Sequence, residues 1–308
     1  MLPITASVFF GAWLLEMSAS EKTAMLNAYV NGGYDAEDAQ SKKKALLPII
    51  YKQDGTPIAA SYEDVSSIYS VKKLYKQGDE LVMVIPIRGV LTKEDQASGA
   101  YGMDTMANWL NVAYDNESIS AIVFDVFTPG GSVAGVEVLG NAIANPSKPV
   151  VVYANDLVAS AGYWISAGAD RIIGSGNNMQ IGSIGAYISF LDDTEYLANN
   201  GIKIVDVYAS QSSEKNADIR QYFDEGKLDK LQKRVDKYAA NFINHVKASR
   251  GDRLKWKDNA EVLQGGMFFS NDALKVGLID EVGTLDRAIE VAFKLGKKKK
   301  REKNSVMK

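Results

Sequence analysis

A serine and a pair of glycines in this chain have neighbours that suit acyl-transfer chemistry. Ser160 stands between Ala159 and Ala161, at the start of a predicted helix. Small neighbours let a substrate carbonyl approach the hydroxyl, and the N–H after the serine can stabilise a developing oxyanion. Gly130 and Gly131 form a predicted turn whose adjacent N–H groups suit the same purpose. A helix-capping serine and a plain tight turn explain the same residues, so neither motif decides the function alone.

A nucleophilic serine needs a base, and the composition restricts the choice. The chain has no cysteine and one histidine, His245, which excludes thiolate sites and metal sites built on several histidines. His245 falls on a predicted amphipathic helix, where we expect a packing or surface role. Lysine is the known substitute when its pKa is lowered from about 10.4 towards neutrality. Lys215 lies in a loop of small polar residues, although the ordinary expectation for one surface lysine is a solvated charge.

From about residue 80 onward, apolar strands alternate with helices. Continuous apolar strands separated by helices indicate a covered parallel sheet with right-handed crossovers. Sites in such sheets form beyond the carboxyl ends of the strands, where Gly130 and Ser160 both fall. The predicted strands are 81–87, 121–127, 149–154, 171–173, 183–190 and 203–208, and the predicted helices include 104–114 and 159–169. The predicted class is therefore α/β.

Three regions are predicted along the chain. Residues 1–78 form an accessory segment that is mostly helical or irregular, with helices at 21–30, 35–44 and 62–75. Residues 79–295 form the α/β domain, which includes a helix at 227–250 whose apolar residues recur every three or four positions. Residues 296–308 form a basic flexible tail; residues 297–308 carry a net charge of +6, against −9 for the remainder.

The composition excludes several classes of protein. With 308 residues, 46% hydrophobic and 24% charged, the chain can bury a sizeable core without disulfides or metals. An acidic body without a basic stripe argues against a nucleic-acid partner. No apolar run approaches the roughly 20 residues that span a bilayer, and none follows a basic leader. We therefore expect no membrane anchor and a cytoplasmic location.

Five motifs in order carry a resemblance to a known family. They are T-P-G-G-S at 128–132, A-S-A-G-Y-W-I at 159–165, I-G-S-I-G-A at 181–186, Y-A-S-Q-S-S-E-K-N at 208–216 and G-L-I-D-E-V-G at 277–283. Together they resemble the signal peptide peptidase A family, most closely its phage and prophage members of the capsid-maturation type. The stretch at 11–16 also resembles the N-terminal region of those phage members. The resemblance implies a Clp-protease/crotonase-like superhelical ββα core with a parallel sheet, and neither cofactor nor metal.

The resemblance also implies a serine–lysine dyad. Ser160 matches the nucleophile, and Lys215 matches the general base that removes its proton and later protonates the leaving amine. Ser183 matches the serine that helps to hold the lysine. The lysine loop varies within the family, and Lys203 and Lys227 are the nearest alternatives to Lys215. The N–H groups of Gly130 or Gly131 and of Ala161 match the oxyanion hole.

These roles predict a serine endopeptidase that processes phage or prophage capsid or scaffold proteins, or small peptides. The expected location is then the cytoplasm, for a prophage-encoded protein, or a procapsid with which the protein is associated. Half-length family members bring serine and lysine together across protomers of a ring, so we expect a homo-oligomer. A different class of function is a catalytically inactive relative that acts as an assembly or scaffold-binding module. An acyl-CoA enzyme of the wider superfamily would instead need a nucleotide pocket and a catalytic carboxylate.

Overall fold

The computed structural model describes residues 12–15, 46–58, 80–96, 98–190, 192–255, 257 and 260–306. The helices predicted at 21–30, 35–44 and 62–75 lie outside these residues. The strands are β1 (Ala12–Leu15), β2 (Ile49–Lys52), β3 (Pro57–Ile58), β4 (Leu81–Arg88), β5 (Ile119–Thr128), β6 (Gly130–Ser132), β7 (Val150–Ala159), β8 (Arg171–Ser175), β9 (Gln180–Gly182), β10 (Tyr187–Ile188), β11 (Met267–Phe269) and β12 (Glu281–Gly283).

Helices follow most of the long strands. They are α1 (Met103–Asp115), α2 (Val136–Ala144), α3 (Ala161–Ala167), α4 (Thr194–Asn199), α5 (Ala217–Glu225), α6 (Asp229–Arg250), α7 (Ser270–Val276) and α8 (Leu285–Val306). Within the described residues, β1, β6 and β10 form a small sheet, and the other strands form one main sheet in the order β11-β9-β7-β5-β4-β2-β3, in which β8 also pairs with β7 and β12 pairs with β8. The predicted α/β class and ββα core are confirmed.

The parallel strands β4, β5 and β7 form the centre of the main sheet. Their apolar residues alternate between two faces, because successive side chains of a strand point in opposite directions. One face carries Met83, Ile85 and Phe124 into a large core beneath the helices α1, α2, α3 and α6. The other face carries Val82 and Val123 into a smaller core against α8. Both faces are covered, as the continuous apolar runs predict.

The strand β7 changes its partner along its length. Its first half pairs with β8 from Val151 to Ala154, and its second half pairs with β9 from Leu157 to Ala159. Asp156, between the two halves, has a left-handed backbone with φ 61°. The second half of β7 therefore turns away from β8 and ends directly at Ser160.

The two ends of the chain differ from the sequence-based expectations. The described part of the accessory segment is a β2–β3 hairpin that pairs with β4, so strands extend the main sheet where helices or irregular structure were expected. The basic run, expected to be a flexible tail, continues α8 as far as Val306. Lys300 Nζ lies 3.3 Å from a Glu80 carboxylate oxygen, and Lys299 Nζ donates to the carbonyl of Pro146 at 3.1 Å. These contacts keep the basic turns of the helix against the domain.

Two predicted strands are wrong or displaced. Residues 203–208, predicted as a strand, have no regular secondary structure. Their alternating apolar residues find no core in the single chain, since the exposed fractions of Ile204, Val205 and Val207 are 65%, 70% and 91%. The strand predicted at 183–190 is replaced by β9, which ends before Ser183, and by β10. The predicted helices 104–114 and 227–250 are confirmed as α1 and α6 to within two residues at each end.

Candidate active site

Ser160 occupies the sharp turn between β7 and α3. Its backbone has φ 54° and ψ −116°, a conformation that costs a residue with a Cβ roughly 1–3 kcal/mol. Its N–H donates to the carbonyl of Gly182 at 2.9 Å, and its own carbonyl accepts the N–H of Tyr163 at 2.8 Å. The residue is 2% exposed, yet its side chain makes no helix-capping hydrogen bond. Helix capping, the alternative explanation for this serine, is therefore not what the structure contains.

Ser183 ends the neighbouring parallel strand in the same manner. Its φ is 55°, and its N–H donates to the carbonyl of Gly266 at 2.9 Å. Ala159 is paired with Gly182 in the β7–β9 ladder, so the two serines follow directly opposed residues. Ser183 is buried, like Ser160. The structure thus brings these two predicted site residues together.

The paired glycines form β6, next to Leu91. Leu91 N–H donates to the carbonyl of Gly130, and Leu91 carbonyl accepts the N–H of Ser132, both at 2.8 Å. Gly131 lies between these bonds, and a Cβ added there would lie 1.9 Å from the Leu91 carbonyl oxygen. Only glycine fits at that approach. The backbone N–H and C=O groups of alternate residues in a strand point to opposite edges of that strand. The N–H of Gly131 therefore points away from Leu91.

Thr128 holds this glycine turn and is not among the site residues predicted from the sequence. The side chain is fully buried; its Oγ1 donates to the carbonyl of Gly89 at 2.6 Å and accepts the N–H of Gly130 at 3.0 Å. The N–H of Gly130 is therefore already used, and Gly131 is the remaining candidate donor of the pair. A hydroxyl at the end of a mostly apolar strand, two residues before paired glycines, was the available signal.

The same threonine also contacts the serine turn. A Cβ added at Gly162 would lie 2.4 Å from Cγ2 of Thr128, so the start of α3 packs directly on this side chain. Gly162 permits the close approach, and it thereby sets the distance between the two turns. The N–H of Ala161, in the first turn of α3, has no acceptor within the helix. Thr128 thus fixes both candidate oxyanion-hole segments against one another.

Lys215 lies in a tight turn that is held by backbone hydrogen bonds between residues close together in the sequence. Its backbone N–H donates to the carbonyl of Ser212 at 3.0 Å, and its side chain is exposed. It lines a cavity of about 250 Å³ together with Asp206, Tyr208 and neighbouring residues. Lys215 is thus exposed whereas Ser160 is buried, and the two members of the predicted dyad are not hydrogen-bonded to one another in the described part of the chain.

The segment around Lys215 has an unusual burial pattern. We call residues 192–226 the arm; it contains α4, α5 and the irregular stretch between them. None of its residues is buried. Ile204 and Val207 are largely exposed, and the ring of Phe190, just before the arm, packs against Tyr222 at 5.0 Å between centroids. Such a surface, apolar and without a core of its own, is typical of an element that packs against another protein surface.

The alternative lysines have surroundings that do not suit a base. Lys227 lies 3.0 Å from a Glu225 carboxylate oxygen, and this hydrogen bond raises the pKa of the lysine. A base needs the opposite shift. Lys203 lies in the exposed irregular part of the arm. Neither residue is linked to Ser160 by a hydrogen bond in the described part of the chain.

His245 has the packing role that the sequence predicts. It lies on α6 with its Nε2 3.0 Å from the carbonyl oxygen of Trp164, and its ring stacks on the Trp164 ring at 5.3 Å between centroids. Burial lowers the pKa of His245, which favours the neutral imidazole. Its hydrogen bond is to a backbone carbonyl of α3 and not to the Ser160 hydroxyl.

No helix among the described residues has both the length and the apolar character to cross a membrane.

Comparison with known proteins agrees with the motifs at Ser160 and at the paired glycines. The chain is 30% identical over 220 residues to "Protease 4" of Haemophilus influenzae, covering 70% of this chain and 34% of that protein. It is 26% identical over 295 residues to "Capsid assembly protease C" of Escherichia phage lambda, covering 94% of this chain and 61% of that protein. The chain thus spans about a third of the first relative's length.

Among solved structures, a ClpP1 mutant from Listeria monocytogenes matches with a TM-score of 0.41 and 14% identity, over 67% of this chain and 94% of that one. The sequence pattern of peptidase family S49 matches residues 142–299, which is half of the chain. That range contains both candidate dyad residues and Ser183. The chain belongs to peptidase family S49.

Proposed function

We propose that this protein is a serine endopeptidase that cleaves peptide bonds through an acyl-enzyme on Ser160. The observation that carries the proposal is the turn at Ser160. The residue adopts a strained backbone between a buried strand and a helix, and its hydroxyl has no capping role. Strain of this kind persists where the surrounding structure enforces it, and it is concentrated at functional sites. Membership of a peptidase family supports the same assignment.

The proposed mechanism uses only groups of the chain and water. A neutral lysine amine removes the proton of Ser160 Oγ as the oxygen attacks the substrate carbonyl carbon. The resulting oxyanion is stabilised by two backbone N–H groups. The C–N bond then breaks, and the lysine ammonium protonates the leaving amine. Water, deprotonated by the same lysine, hydrolyses the ester on Ser160 and restores the free serine.

The oxyanion donors are the N–H groups of Gly131 and Ala161. The N–H of Gly130 already bonds to Thr128, and that of Ser132 already bonds to Leu91. Gly131 is thus the member of the pair with an N–H directed away from these partners. Ala161 supplies the N–H that follows the nucleophile, at a helix end where negative charge is favoured.

The base is Lys215 of a neighbouring protomer in a homo-oligomeric ring. In the single chain, Lys215 is exposed and belongs to the arm, in which no residue is buried. Packing of the arm on a second copy would bury Ile204 and Val207 and carry Lys215 to that copy's Ser160. Packing of this kind would also remove the amine from water, which favours the neutral form that a general base requires. Ser183, beside Ser160, helps to hold the amine.

The proposed substrate is a capsid or scaffold protein of a phage or prophage. The relative from phage lambda is a capsid assembly protease by name, and it aligns with 94% of this chain. The corresponding location is the cytoplasm of a host cell or the interior of a procapsid. Small peptides are the alternative substrates.

A fluorophosphonate probe tests the nucleophile. We expect the wild-type protein to gain one adduct, located on Ser160 by peptide mass spectrometry, and Ser160→Ala to gain none. Ser166→Ala is the matched control, because Ser166 lies in the same helix and its Oγ donates to the carbonyl of Gly162 at 2.6 Å. That variant keeps the adduct. Labelling of Ser160→Ala at the wild-type rate contradicts the proposal.

The second candidate is a catalytically inactive assembly module. The exposure of Lys215 in the single chain favours it, because a lysine that acts as a base needs burial or a neighbouring cation. An oligomer that forms normally but takes up no fluorophosphonate and cleaves no capsid or scaffold protein supports the module and excludes the peptidase.

A further inference from the structure

The segment Ala12–Leu15 lies as the middle strand of the small sheet. It runs antiparallel to β6 on one side and to β10 on the other. Trp13 is directly opposite Ser132 in β6 and directly opposite Tyr187 in β10. The segment is therefore held along both of its edges by strands that are far from it in the sequence.

Both flanking strands belong to the candidate active site. β6 is the glycine strand that supplies the proposed oxyanion donor, and β10 follows Ser183 after a short loop. Leu14 is directly opposite Gly131, and Leu15 is directly opposite Gly130. The edge of β6 away from Leu91, which the N–H of Gly131 faces, is thus the edge along which β1 lies.

An extended peptide binds between two strand edges by adding a strand, with main-chain hydrogen bonds as the source of affinity. A peptide substrate of the proposed enzyme needs its backbone beside Gly131 so that its carbonyl can reach the oxyanion donors. Residues 12–15 have this location and an extended conformation. They run from the Ile188 end of the groove towards Gly130, which directs the chain to the proposed catalytic centre.

We infer that residues 12–15 occupy the peptide-binding groove of their own chain and block it in the resting protein. This inference rests on the proposed function, because it takes the groove to be the substrate groove. A tethered segment competes at an effective concentration of the order of millimolar, so it excludes weakly bound peptides at lower concentrations. Substrate must displace β1 before Ser160 can react.

The absence of cysteine from the chain allows the placement to be tested by disulfide trapping in the full-length protein. Trp13→Cys with Ser132→Cys places two thiols at directly opposed positions, where Cβ atoms are about 4.5–5.5 Å apart. Ala12→Cys with Ser132→Cys is the matched control, because a shift of one residue turns the side chain to the other face. We expect oxidation to give an intrachain disulfide in the first variant and little or none in the second.

Fluorophosphonate labelling then tests the block. We expect the oxidised Trp13→Cys/Ser132→Cys protein to label at least about tenfold more slowly than the same protein after reduction, since reduction lets the tether open. In the single variant Trp13→Pro, proline removes an N–H and disfavours the strand, so labelling and peptide cleavage become several-fold faster than in the wild type. This second variant is informative even where the double variant fails to fold.

Four results overturn the inference. They are equal disulfide formation in the opposed and shifted pairs, a disulfide between two chains, equal labelling of the oxidised and reduced protein, and no gain of activity in Trp13→Pro. Failure of the proposed function gives a different result. In that case Ser160 takes up no probe in the wild type or in either redox state, while the disulfide pattern still decides whether residues 12–15 lie in the groove.

Discussion

The backbone N–H of Gly130 donates to Oγ1 of Thr128 at 3.0 Å, and that hydroxyl donates in turn to the carbonyl of Gly89 at 2.6 Å. The hydroxyl therefore connects the glycine strand to the loop after β4. It also leaves Gly131 as the member of the glycine pair whose N–H does not bond to Thr128. In the proposed mechanism, this buried side chain orients the N–H group that contacts the substrate without touching the substrate itself.

Thr128→Val removes this hydroxyl and keeps the shape of the side chain. We expect kcat to fall at least about tenfold with little change in KM, because the donor acts mainly on the transition state. The free energy of unfolding falls by about 1–3 kcal/mol, since the buried N–H of Gly130 loses its acceptor. Thr128→Ser keeps the hydroxyl and recovers most of kcat. Equal kcat in the valine and serine variants would refute the positioning role.

Complementation between two inactive variants tests whether the dyad is shared. Ser160→Ala and Lys215→Ala are each expected to be inactive. Mixed under conditions that exchange subunits, they regain a fraction of the wild-type peptidase activity, because some interfaces combine an intact Ser160 with an intact Lys215. Each variant incubated with itself is the control. If mixed oligomers form and stay inactive, the two residues do not act across protomers.

Val207→Asp tests the arm as the interface. Val207 is 91% exposed in the single chain, and a charge there is costly only when a second copy covers it. We expect a shift to smaller species in analytical ultracentrifugation, with an unchanged melting curve at concentrations where the chain is monomeric. Val138→Asp is the control, since Val138 is exposed on α2, outside the arm. An unchanged sedimentation profile for Val207→Asp would exclude this face.

The buried pair Arg250–Asp280 predicts a large stability effect away from the candidate site. Arg250 is 1% exposed, and its Nη2 lies 3.0 Å from Asp280 Oδ1 while its Nε donates to the carbonyl of Gly277. Arg250→Ala leaves the largely buried Asp280 carboxylate with the longer contact to Arg253, at 3.5 Å, as its cationic partner, and costs about 3 kcal/mol in urea unfolding. Lys275→Ala breaks an exposed pair with Asp272 and costs less than about 1 kcal/mol. Similar losses in both variants would contradict this reasoning.

His245 predicts the sign of a pH effect on stability. Burial lowers its pKa in the folded state, so the unfolded chain binds the proton more tightly. The free energy of unfolding therefore falls as the pH drops below about 6.5, the pKa of an unperturbed histidine. His245→Phe keeps a ring against Trp164 and removes this part of the pH dependence. Because the chain has one histidine, an unchanged slope in the variant would assign it to other groups.

The sequence predicts the centre of the fold well because its strands are buried on both faces. The continuous apolar runs at 81–87 and 121–127 are stable only where both faces of the strand are buried, and they form β4 and β5. The apolar run at 203–208 misleads the same reasoning, because its apolar side chains are exposed in the single chain. An apolar pattern predicts that a strand face is covered. It does not distinguish cover by the core of the same chain from cover by another protein surface.

The candidate site is predictable to a similar extent. Ser160 and Ser183 come together because each ends a parallel strand, and the strand order brings those ends side by side. The role of Thr128 depends on a contact with Gly89, thirty-nine residues away in the sequence, which no local pattern contains. In the proposed mechanism the approach of Lys215 to Ser160 requires a second copy of the chain, which no pattern in a single sequence can describe.

The change of partner along β7 divides this strand into a half that belongs to the core and a half that leads to Ser160. Val151, in the first half, belongs to the core that α8 covers, whereas the second half pairs with β9 and leads into Ser160. On the edge of β7 that faces β8 and β9, no single hydrogen-bond ladder runs from the α8-covered half to the serine, whereas on the opposite edge β5 pairs with both halves, from Val150 to Val158. A substitution beneath α8 therefore reaches the reacting turn through β5, and that strand couples the stability of the sheet to the geometry of the turn.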